Sequence, residues 1–400
     1  MKKFFYVAIA ATALASCSSD NLVDLKEGDE IKFTAVADND SRAAAVWCNN
    51  NIPSDFRVWA NSGGKAFMND EVYTKVGDVY TSDVIRYWPE SAGVDFYALK
   101  FANPANPANP GETGTISYTS GSQPEIADYQ PATDVDKQQD IIYATTPGAT
   151  KTTNGVVQMN FRHALSQIEF MAKNTYDNIE VIVKEVCVGN AVGKGTFTLP
   201  ATTTLTDVFV DATHGSSSTS PATFNQGTWT YPDEKVYTDY SVAVQSPSTA
   251  LTSTASSLTL STGANITTTN HATSSVLQSM MLIPSGSATT QWNPVDGNLN
   301  SGSYLGINVE IYNVVEVADD VNSPYKTLVY TGWAYVPASF NWEQGKRYVY
   351  TFNFAKGTNG GFRKDGKPVL TDINLNVTVD DFIWAGNTDT EMDTTPGVED

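Results

Sequence analysis

Apolar side chains recur at every second position along much of this 400-residue chain, and that period decides what it can fold into. Ile31, Phe33, Ala35 and Ala37 alternate with Lys32, Thr34, Val36 and Asp38. Phe56, Val58 and Ala60 alternate with Arg57, Trp59 and Asn61, and Val94, Phe96 and Ala98 with Asp95, Tyr97 and Leu99. The same pattern returns over 306–311 and, for eight residues, over 347–354. Successive side chains of a strand point to opposite faces, so a period of two describes half-buried antiparallel strands. Helical spacing is nearly absent. Residues 162–170 are the one ambiguous stretch, and Ile168, Phe170 and Ala172 read there as a strand after a short turn. Strands without intervening helices predict an all-β chain of sandwiches rather than α/β units.

Turn formers divide this pattern. The polar run Lys173–Asn178 separates an expected N-terminal β-sandwich domain (30–174) from a C-terminal one (175–384). From Pro200 to Ser274 the chain is rich in Ser and Thr, yet Trp229, Tyr231, Val242, Val244, Leu258 and Leu260 keep the alternation, which predicts sheet with long loops. Pro104, Pro107 and Pro110 forbid a central strand and predict an extended surface loop. After Trp384, residues 385–400 form an expected flexible acidic tail.

The first residues point to export. Lys2 and Lys3 precede an apolar run, Phe4–Ala15, which is too short to span a bilayer but suits a signal peptide over 1–16. Leu14-Ala15-Ser16-Cys17 resembles the bacterial lipobox, which implies that Cys17 takes a diacylglyceryl anchor and begins a lipidated linker, 17–29. With 24 basic and 44 acidic side chains the net charge is 24 − 44 = −20, which offers no basic face for nucleic acid. Export makes a Cys48–Cys187 disulfide possible, but Val186-Cys187-Val188 reads as a strand, and buried free thiols are the favoured reading.

A search for chemistry returns little. His163, His214 and His271 have no second ligand at zinc spacing, and His163 is expected to be structural. Asp134, Asp136 and Asp140 lack the Gly and Glu of a calcium loop, since Gln139 and Thr145 stand at those places. There is no nucleophile elbow, Walker loop or dinucleotide fingerprint. No catalytic set, metal site or cofactor is expected.

Several segments, in order, carry a family likeness. They are Asn39–Ala43, Arg86-Tyr87-Trp88-Pro89 leading into Val94–Ala98, Asp140–Ala144, Phe161–Phe170, Trp342–Tyr350, and Leu375–Val379 through Trp384. With the lipobox they resemble the fimbrillin family, the type V pilus subunits of the Bacteroidales. The resemblance implies two antiparallel Greek-key β-sandwich domains in tandem after a cleaved lipoprotein signal peptide. It also implies a route: a precursor anchored in the outer membrane, a cut by an Arg-specific surface protease, departure of the first strand, and its replacement by a strand of the next fimbrial subunit. Arg42 is the matching position, so Ala43 is the expected new N-terminus; the departing strand is Ile31, Phe33, Ala35 and Ala37.

The donor, or the final strand that releases one, is expected among Ile373, Leu375, Val377, Val379, Phe382 and Trp384. Beyond Trp384 the apolar alternation stops. If 373–384 stays in its own sheet, a tip or accessory subunit is expected rather than a stalk subunit. No motif names a receptor. The alternative function is a surface lipoprotein that binds carbohydrate, with Trp59, Trp88, Trp229, Trp292, Trp333 and Trp342 as stacking platforms; aromatic rings in sheets are more often core.

Overall fold

The computed structural model describes residues 30–37, 53–90, 92–100, 113–151, 156–200, 226–245, 248–260, 279–355, 361–369 and 373–381. Among these the regular structure is strand, apart from three single-turn 3-10 segments. The N-terminal strands are β1 (Lys32–Ala37), β2 (Asp55–Ser62), β3 (Lys65–Val76), β4 (Val79–Thr81), β5 (Val94–Lys100), β6 (Thr113–Ser117), β7 (Glu125–Gln130), β8 (Ile142–Ala149) and β9 (Val156–His163). There follow β10 (Ser166–Asn174), β11 (Ile179–Val192), β12 (Gly195–Thr198), β13 (Thr228–Thr230), β14 (Tyr237–Ala243), β15 (Ser256–Ser257) and β16 (Met280–Leu282). The last four are β17 (Tyr304–Val315), β18 (Tyr325–Pro337), β19 (Lys346–Phe354) and β20 (Ile373–Asp381).

Seven strands close a barrel in the order β1-β4-β3-β2-β5-β8-β9. Closure gives every strand of the barrel a neighbour on both flanks, although β1 meets β4 at a single residue pair. Its interior is the one-phase set read from the sequence: Phe33, Phe56, Val58, Ala60, Val94, Phe96 and Ala98, joined by Tyr73, Tyr80 and Phe161. Two further sheets, β15-β10-β19-β20 (with β16 also on β10) and β14-β11-β17-β18, enclose a second core, to which Ile168, Phe170, Val183, Ile307, Ile311 and Phe352 belong.

The fourth sheet, β13-β12-β7-β6, contributes to a third core. Trp59, Tyr97 and Leu99, from the other phase of β2 and β5, pack there with Ile126, Tyr129 and Phe197. These strands are therefore buried on both faces, not half-buried as the alternation predicts. A tryptophan, a tyrosine and a leucine in the supposedly outward phase are the physical reason: so much apolar surface needs a cover.

Two pairings also depart from the antiparallel expectation. β1 runs parallel to β9 from Lys32↔Val156 to Ala37↔Phe161, and β10 runs parallel to β19 from Gln167↔Arg347 to Asn174↔Phe354. Each partner lies far along the chain, so no hairpin constrains its direction. Hydrogen bonding also crosses the division expected at 174/175. β10 lies before it, yet every strand paired with β10 lies after it, and β7 pairs with β12. The cores change hands earlier, at the His163-Ala164-Leu165 turn, because the barrel core ends at Phe161 and the sandwich core resumes at Ile168.

Candidate functional site

The first strand and the slot it fills form the candidate site. Phe33 is fully buried, and Ile31 is nearly so. The Phe33 ring meets three others edge-on: Tyr73 at 4.7 Å, Phe96 at 5.2 Å and Phe56 at 6.2 Å. Such edge-to-face contacts add about 0.5–1.5 kcal/mol each to the burial itself. Ala35 is half-buried against the same core. Backbone pairing is uneven. Six residue pairs tie β1 to β9, whereas a single one, Phe33↔Tyr80, ties it to β4.

The segment Arg86-Tyr87-Trp88 clamps the start of this strand. The Ile31 amide donates to the Arg86 carbonyl at 2.7 Å, and Glu30 bridges to Tyr87. The Arg86 guanidinium pairs with the buried Glu71 carboxylate, and Trp88 packs edge-on against Phe96 at 5.9 Å. The Tyr80 hydroxyl donates to the Pro53 carbonyl at 2.6 Å, and burial, with a smaller effect of Asp55, pushes its pKa up to about 12. Sequence reasoning missed β9, Tyr80 and the Arg86 carbonyl as parts of the slot. The alternation of Val157, Met159 and Phe161 was the available signal; a carbonyl acceptor has none.

At the other end, β20 lies at the edge of its sheet and pairs with β19 over nine residue pairs, Lys346↔Asp381 to Phe354↔Ile373. Ile373 is buried and Leu375 packs partly against the sandwich core, but Val377 is 38% and Val379 52% exposed. Apolar side chains on an open edge strand are an invitation to pairing.

Cys17, Arg42, Ala43, Cys48, Phe382 and Trp384 lie outside the described residues, as do His214, His271 and the side chain of Ala37. His163 is buried, with Nδ1 2.7 Å from the Asp140 carboxylate, and Cys187 is a buried free thiol in β11. Asp134 pairs with Lys137 at 2.7 Å. Four of the candidate stacking residues, Trp59, Trp88, Trp292 and Trp342, are buried, which leaves them too little open ring face to serve as platforms; Trp229 and Trp333 are half-buried.

The profile of the fimbrillin-like family matches residues 23–384. The chain belongs to the fimbrillin-like family. Membership places it among the structural subunits of cell-surface fimbriae. No curated protein matches this fimbrillin-like chain by sequence. Solved structures resemble it at low identity. One is a proposed cell adhesion protein of Bacteroides uniformis (12% identity, 88% of this chain and 98% of that one, TM-score 0.42). Another is a proposed cell adhesion protein of Bacteroides ovatus (13%, 90% and 99%, TM-score 0.38). A third is the tip fimbrial protein Mfa3 of Porphyromonas gingivalis with a C-terminal truncation (9%, 88% and 99%, TM-score 0.35).

Proposed function

We propose that this fimbrillin-like chain is exported as a lipoprotein through Cys17, cut after Arg42 by an Arg-specific surface protease, and built into a fimbria by donor-strand exchange. The observation that carries this reading is the contrast within β1. Its side chains plug a core, while its backbone is joined to β4 by one residue pair only. Withdrawing Ile31 and Phe33 forfeits about 1.5–3 kcal/mol of burial each. It also opens the barrel between β4 and β9, leaving unpaired backbone on both flanks. A strand from another subunit restores both, by β-strand addition, and a head-to-tail contact of this kind propagates as a filament.

The bonding of β20 along its whole length to β19 supports a tip or accessory position, filled by a donor but offering none, over a stalk position. The partners on this reading are other fimbrial subunits, the protease, and the outer membrane by way of the acyl chain of the precursor. The test is the N-terminal residue of fibres recovered from the cell surface. Ala43 is the expected result. Assembled fibres that still begin at an acylated Cys17 overturn the proposal.

A further inference from the structure

An open cleft of about 540 Å³ lies remote in sequence from β1, between β13 and the turn that leads into β19. Its lining includes Gly227, Trp229 and Tyr231 from the β13 segment and Asn341, Glu343 and Gln344 from the turn before β19. The aromatic side is held rigidly. The Trp229 indole N–H donates to the Ala164 carbonyl at 2.7 Å, its ring leans on Phe197 at 5.2 Å, and the residue stays half-exposed. The Tyr231 hydroxyl donates to the Pro284 carbonyl at 2.7 Å, and Gly286, at φ +68°, leaves its ring room that a Cβ would take, only 2.4 Å away. A glycine tolerates that left-handed backbone at no steric cost.

The polar side is under-used. Gln344 is 7% exposed and its Nε2 donates to the Tyr143 hydroxyl at 3.1 Å, but its Oε1 has no hydrogen-bond partner among the described residues. A buried acceptor left unmade costs about 1–3 kcal/mol, so a ligand donor that reaches it is favoured. Asn341 and Glu343 are exposed beside it, adding an amide that can donate and accept and a carboxylate that accepts.

We propose that this cleft binds a neutral saccharide. A half-exposed indole offers a face for the C–H side of a sugar ring, and converging amides and a carboxylate suit its hydroxyls. Glu343 and a net charge of −20 disfavour acidic sugars and phosphates. The site gives the subunit something to hold that strand exchange neither supplies nor requires.

The test applies the intact, monomeric chain to an array of mannose-, galactose- and N-acetylglucosamine-terminated neutral oligosaccharides, with sialylated and sulfated ones alongside. At least one neutral class should bind. The exposed double substitution Asn341→Ala with Glu343→Ala, which touches no core contact, should weaken binding about tenfold or more while leaving the melting temperature unchanged. Trp229→Phe, which keeps an aromatic ring, should weaken it less than Trp229→Ala. Absence of neutral ligands, binding of acidic glycans alone, or affinity unmoved by the double substitution overturns the site. None of these results depends on whether the chain polymerises.

Discussion

Phe33 concentrates the energetics of the first strand. Cutting its ring back to a methyl removes a fully buried side chain and three edge-on contacts at once. Phe33→Ala should therefore lower stability by about 3–5 kcal/mol in urea denaturation. The neighbouring Lys32→Ala, which loses only a partly exposed pair to Glu30 at 3.3 Å, should stay within about 0.5 kcal/mol. The phenols make a second expectation. Burial pushes Tyr80, Tyr231 and Tyr335 up from 10.0 to about 12. Below pH 10 these groups hold their protons in folded and unfolded chains alike, so they do not tilt the balance. Between pH 10 and 12 only the unfolded chain ionises, and stability falls as pH rises. Melting temperatures should thus drop above pH 10, with tyrosinate absorbance appearing as the chain unfolds and not before.

Among the elements, β1 is the separable part on the proposed assembly route. A chain beginning at Ala43 lacks it, and its barrel should gain several degrees in melting temperature when a peptide of residues 30–37 is added. At a hundred times the dissociation constant the gain corresponds to about 2.7 kcal/mol. The same peptide carrying Phe33→Ala should give little or none; an equal gain from both would remove the aromatic wedge as the cause. How much of this was legible in advance follows from period and range. β1, β2, β5, β17 and β19 were visible because their alternation is local and long. β4, β15 and β16 were not, because two or three residues carry no period. The parallel partners of β1 and β10 were also invisible, since strand direction across such separations is set by packing and leaves no mark in either segment. The second buried face of β2 and β5 was written in Trp59, Tyr97 and Leu99, but an alternation template counts such residues as outward. The saccharide cleft had a weaker trace: Trp229 stood among the stacking residues, but Asn341 and Gln344 join it only through folding.

For the molecule as a whole, charge governs how copies meet. Cut after Arg42, subunits carry 19 basic and 37 acidic side chains, 19 − 37 = −18, and repel one another; that repulsion reaches about 10 Å at 0.1 M salt and several times farther at 0.01 M. On the proposed assembly route, polymerisation of protease-treated protein should quicken as sodium chloride rises from 10 to 150 mM, when followed by light scattering. A rate that falls with salt would mean that attraction between oppositely charged patches guides docking instead. The parallel run of β1 beside β9 bears on the finished fibre too. A newcomer that inherits this heading enters every subunit from the same end, so the thread acquires a one-way grain, and its two extremities are chemically unlike from the first joint onward.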